Sequence, residues 1–122
     1  MKTTAMQHGV GGRIRAEVAS WPGISEAPHR FGAIEFRLGR REIGHLHGDA
    51  LADLPFPVKI REQLVREGKA RAHHYLPESG WVSLPLRDEE SVEAAISLFR
   101  LAYDRALQQR GLPANLHDPA TD

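Results

Sequence analysis

Two histidines spaced two apart, in Gly44-His45-Leu46-His47-Gly48, are the residues of this sequence best suited to chemistry. Alternate side chains of an extended strand share a face, so both imidazoles point the same way. A borderline transition metal asks this of neighbouring strand ligands, and it accepts imidazole nitrogen together with carboxylate oxygen. A third ligand is needed. His73 or His74 is placed to supply it, because alternation sends one of that pair to each face. The candidate metal set is His45, His47 and His74; the cofactor is left open, with a divalent ion as one candidate. Asp49 or Glu35 could add a carboxylate, although regular pairing turns Glu35 to the opposite face.

Two other readings use the same residues. A buried imidazole can satisfy both nitrogens with a carbonyl, a carboxylate or a tyrosine hydroxyl, which would make the pair structural. Alternatively, His45, His47 and Asp49 act as acid–base groups on a polar or anionic small molecule. Ser79-Gly80-Trp81 reads as a turn followed by an aromatic at a strand start. With these two added, the candidate ligand-binding residues are Glu35, His45, His47, Asp49, His73, His74, Ser79 and Trp81.

Several chemistries are excluded or weakened. Without cysteine there is no disulfide, thiol nucleophile or thiolate-bound metal. No Gly-X-Ser-X-Gly elbow supports a serine hydrolase. Gly9-Val10-Gly11-Gly12 follows no strand and so fails as a nucleotide-binding loop. Sixteen basic residues balance sixteen acidic ones, which weighs against a nucleic-acid partner. Arg37, Arg40 and Arg41 form a basic hairpin tip, ordinarily a solvated turn. No apolar run suits a signal peptide or a membrane span, so the expected location is the cytoplasm, with no membrane partner. The expected function is a binding domain that holds a small polar ligand or a metal ion; the alternatives are an enzyme using the same histidines and a partner-binding module without pocket chemistry, and the oligomeric state is left open.

The elements that must position these residues follow from hydrophobic periodicity. The length of 122 residues fits one domain, read as 13–110, with flexible termini at 1–12 and 111–122. Ile14, Val18 and Trp21 mark one face of a short helix, stopped by Pro22-Gly23. Ile34, Phe36 and Leu38 alternate with Glu35 and Arg37 on a strand; Gly39-Arg40 suits a two-residue turn into a returning strand, Arg41 to Gly48. Regular pairing sets Arg37 against Glu42 and Ile34 against His45, placing His45 and His47 on the face of Ile34 and Phe36. Ile24–Arg30 and Asp49–Phe56 read as connections, the second with room for a short edge strand.

A helix follows Pro57, and a second hairpin joins Arg71–Leu76 to Trp81–Leu86, with Pro85 suggesting an edge or a bulge. The last helix is capped by Asp88 and carries a stripe from Val92 to Leu107. The expected fold class is therefore α+β: a two-layer sandwich of antiparallel hairpins packed against helices, in the order α-β-β-α-β-β-α.

Four runs carry a family likeness: Phe31 to Gly39, Glu42 to Gly48, His73 to Ser83, and Leu98 to Tyr103. Taken in order, they resemble the luciferase-domain family, small bacterial and fungal proteins, over about Arg13 to Ala106. The resemblance implies membership and, through the family's name, an oxidoreductase. The positions matching its motifs are Glu35, Glu42, His45, His47, His73, His74, Ser79 and Trp81. The element order is also similar to that of the double-wing proteins, to which a DNA-binding role has been attached; zero net charge gives that role little support.

Overall fold

The computed structural model describes residues 2–73 and 75–111. His74, an expected metal ligand, and the tail from 112 to 122, expected to be flexible, lie outside the described residues. Helix α1 (Lys2–Ala19) is kinked at Gly9. It is followed by β1 (Ile24–Pro28), a 3-10 turn (Arg30–Gly32), β2 (Ile34–Leu38), β3 (Arg41–His47) and β4 (Leu51–Pro55). Helix α2 (Val58–Arg66), β5 (Arg71–Ala72), β6 (Trp81–Pro85) and α3 (Glu89–Gly111) complete the chain. The strands form one antiparallel sheet in the order β1-β2-β3-β4-β6-β5. The class is α+β, as expected.

One face of the sheet is buried beneath helices. Phe36, Ile43, Leu46, Leu54 and Val82 meet Ile14 and Val18 of α1 and Val92, Phe99 and Ala106 of α3, and α2 adds Leu64. Phe36 and Phe99 pack edge to face, with ring centroids 5.5 Å apart. Burying a side chain such as Phe36 contributes about 2–3 kcal/mol. Helix α3 begins where Asp88 and Ser91 cap each other: the Ser91 N–H donates to Asp88 Oδ1 and the Asp88 N–H donates to Ser91 Oγ, both at 2.9 Å. No helix among the described residues is long and apolar enough to cross a membrane.

The structure corrects the sequence reading in two places. First, both expected connections contain strands. β1 pairs with β2 along the sheet edge, where Pro28 at its end leaves no internal ladder bond unmade. β4 lies inside the sheet between β3 and β6. Pro85 ends β6, which is internal too, but two-residue β5 covers only Val82 and Ser83, so at Pro85 the strand has one neighbour.

Second, the β2–β3 register changes partway. The tip pairs as expected, Leu38 with Arg41 and Arg37 with Glu42. Phe36 then pairs with Gly44, not Ile43, so Ile43 is an extra residue in β3, a β-bulge. Beyond it, His45 lies opposite Glu35, and Ile34 opposite Leu46. His45 and His47 therefore face away from Phe36 and the helices. Gly44 makes the bulge feasible. Its φ is 149°, and a Cβ there would lie 2.6 Å from the Phe99 ring. Ile43 and Gly44 both turn to the helical side, and the two histidines turn to the other.

Candidate functional site

The face opposite the helices carries a polar cluster built by three adjacent strands. β3 brings His45 and His47; β4 brings Asp53 opposite His45; β6 brings Ser83 opposite Asp53. Asp53 is the hub and is only 2% exposed. Its Oδ1 accepts the Ser83 hydroxyl at 2.6 Å. Its Oδ2 lies 3.0 Å from His47 Nε2, 3.3 Å from His45 Nε2 and 3.6 Å from His73 Nε2. On its other side, His45 Nδ1 meets Glu42 Oε2 at 2.7 Å.

The electrostatics follow from this nesting. Burial opposes charge on His45, but the hydrogen bonds it donates to Asp53 and Glu42 outweigh it and raise its pKa to about 9. Burial likewise pushes Asp53 up, yet the bonds from His45 and Ser83 win and hold it at about 2. Without a metal, His45 is thus an imidazolium held between two carboxylates. The hydrogen bond from His29, aided by Arg37, lowers the Glu35 pKa against the effect of burial.

His29 stacks on His45 with centroids 3.9 Å apart and planes 19° from parallel, while its Nδ1 meets Glu35 at 2.7 Å. This geometry bears on which residues could hold an ion. Two groups, His29 with Glu42 and His45, and His45 with His47 and Asp53, bring ligand atoms together. In the first, the stacked rings keep their lone pairs in near-parallel planes, which do not converge on one point. In the second, the His45 and His47 rings are 83° apart, an angle that allows convergence. His73 Nδ1 accepts the Tyr75 N–H at 3.2 Å, so a neutral His73 carries its proton on Nε2, towards Asp53. It fits better as a donor behind Asp53 than as a ligand.

The sequence candidates are thus distributed unevenly. His45, His47 and His73 converge, Trp81 sits 5.4 Å from His45 by ring centroids, and Glu35 is linked to the cluster through His29. Asp49 instead accepts the Gly11 N–H at 2.9 Å, fastening α1 to the turn after β3. Ser79 completes a turn: its hydroxyl donates to the Leu76 carbonyl at 2.7 Å and accepts the Trp81 N–H at 3.1 Å. Arg37, expected to pair with Glu42 across the strands, bonds Glu35. Sequence reasoning missed Asp53, His29 and Ser83. An acid inside Leu51-Ala52-Asp53-Leu54-Pro55 was the available signal, because an acid in an apolar run is solvent-facing or a buried functional group.

Above the cluster opens a cleft of about 640 Å³, with His45, His47 and Asp53 among its lining residues and Tyr75, Leu76 and Trp81 in its walls. Residues 40–102, just over half of the chain, match the family model of the luciferase domain. No curated protein and no solved structure matches the chain.

Proposed function

The chain belongs to the luciferase-domain family, and from that premise we propose that it is a binding domain for a divalent transition metal, held by His45, His47 and Asp53 at the floor of the cleft. The supporting observation is the donor geometry. Around a metal with bonds near 2.1 Å, neighbouring donor atoms stand about 3.0–3.4 Å apart. The two histidine Nε2 atoms stand 3.0 and 3.3 Å from Asp53 Oδ2. The outer contacts have the matching pattern: Glu42 takes the Nδ1 proton of His45 and so presents Nε2, while Ser83 fixes the second Asp53 oxygen. In this reading residues 13–110 are the folding unit, and the cleft gives a small ligand access to the ion.

The test is a titration of chelator-treated protein with zinc and, under nitrogen, with ferrous iron. One ion per chain is expected. His45→Ala, His47→Ala and Asp53→Ala should each weaken binding by at least about tenfold, while His29→Ala should bind normally. Wild-type protein that takes up neither ion, with an unchanged melting temperature in their presence, would sink the proposal. Binding unchanged in all three ligand variants would move the ion elsewhere.

One observation favours a second reading, an oxidoreductase using the same residues. Two histidines and one carboxylate with an open side suit ferrous iron and oxygen chemistry, and the cleft lies on that side. Oxygen uptake by iron-loaded wild-type protein with ascorbate, lost in Asp53→Ala, would support it. Equal uptake by both proteins would leave the binding-domain reading alone.

A further inference from the structure

The cleft has two exposed apolar lips. Seven large apolar side chains are exposed among the described residues, and three of them, Phe31, Tyr75 and Leu76, line this one cleft. They come from separate segments, the 3-10 turn after β1 and the loop between β5 and β6. Phe31 is the stronger observation. It is 93% exposed, yet it sits at φ 58° and ψ 34°, the single non-glycine residue with positive φ among those described. A bulky side chain is disfavoured there, and nothing is recovered by burying the ring. Strain held at the mouth of a cleft is typical of ligand clamps. Arg30, adjacent to it, also lines the cleft, and its guanidinium has no carboxylate partner among the described residues.

We propose that the cleft binds a small monocarboxylic acid with an apolar body, the carboxylate pairing with Arg30 and the body lying between Phe31 and the Tyr75–Leu76 lip. Charge complementarity sets the direction. The floor carboxylates Asp53 and Glu42 are already paired with His45, and Arg30 is the one lysine or arginine among the lining residues, so the head is drawn to this rim cation, where a charge-assisted pair forms. A volume near 640 Å³ lies in the range for small-molecule ligands. The inference rests on the cleft of the proposed function and does not require the ion.

Isothermal titration with decanoate, decanol and decyltrimethylammonium, each below its micelle concentration, tests it. Decanoate should bind about tenfold or more tightly than decanol, and the cation weakest. Arg30→Gln should reduce decanoate to the level of decanol and leave decanol unchanged. Asparagine tolerates the left-handed conformation, so Phe31→Asn should weaken both ligands about fivefold or more while keeping or raising the melting temperature. A purely structural role for Phe31 predicts no loss of affinity. Equal affinity for decanoate and decanol, an Arg30→Gln variant with wild-type preference, or binding only to phosphatidylglycerol vesicles would each overturn the proposal. The titration is run on metal-free and zinc-loaded protein. Decanoate binding without zinc binding would leave this inference standing and the metal reading fallen; zinc binding without decanoate binding would do the reverse.

Discussion

The two faces of the sheet are built from the same strands on different physics. The helical face is specified by volume: Phe36, Leu54 and Val82 are fully buried and interlock with α1 and α3. The opposite face is specified by charge: Asp53, His45 and Ser83 are also buried, yet each is held by a hydrogen bond or ion pair. Both are buried, but only the second carries groups that can gain or lose a proton. Burial therefore does not separate framework from site in this protein. What separates them is whether a residue's partners carry charge.

The contrast can be broken from the apolar side first. Phe36→Ala should lower unfolding free energy by about 4 kcal/mol in urea denaturation, because it leaves a cavity against Phe99. The folded fraction should still bind zinc normally; a loss of both would mean that the two faces are not independent. Gly44→Ala tests the point where they meet. The added methyl would collide with Phe99 in a backbone conformation that alanine avoids. We expect a loss of about 3 kcal/mol and weaker metal binding together. Unchanged stability would mean that the bulge tolerates a side chain.

The polar face should show itself in pH. The His45 pKa is raised from 6.5 to about 9, so its contribution is full below pH 6.5 and is lost as pH rises through 9. That of Asp53 is lowered from 3.8 to about 2, so its contribution is full above 3.8 and is lost as pH falls through 2. Metal-free protein should thus be most stable between these limits. It should lose about 3 kcal/mol on the alkaline side, where His45 gives up the proton that Asp53 and Glu42 hold on it. Asp53→Asn should shrink the alkaline limb to the part that Glu42 sustains, and a limb of unchanged size would assign it to another group. The smallest effect is expected from Ser79→Ala. It removes two bonds of a turn and should cost about 1 kcal/mol or less without changing zinc affinity. A large change in affinity would bring Ser79 into the site.

Much of the frame was legible in the sequence. The Ile34-Phe36-Leu38 alternation, the Gly39-Arg40 turn and the Asp88 cap of α3 all have local causes, and local causes are written in short windows. Of the candidate site, the histidines stood out in the sequence and the aspartate between them did not. Asp53 was passed over because β4 looked like a connection: its acid interrupts the apolar run that would have marked a buried strand. The facing of His45 was misread for a different reason. Within β2 and β3 the one hint of the extra residue at Ile43 is Gly44, a glycine inside a strand run. Room for it is set by Phe99, 55 positions further along the chain than Gly44.

That distance bears on the order of folding. The tip of the β2–β3 hairpin can zip from its turn within microseconds, and Arg37 opposite Glu42 is common to both possible alignments. Until α3 docks, the chain has little to choose between a regular ladder that buries two imidazoles and a bulged one that exposes them to Asp53. The choice falls to a contact of high sequence separation, which forms late because the intervening chain must first be closed into a loop. We expect early hairpin structure to be a mixture of two alignments that resolves when α3 arrives. Histidine protonation would tip that mixture, since an imidazolium is costly to place under the helices. Refolding at pH 5 should then reach the native alignment in a more uniform single phase than refolding at pH 8, the final contacts being the same.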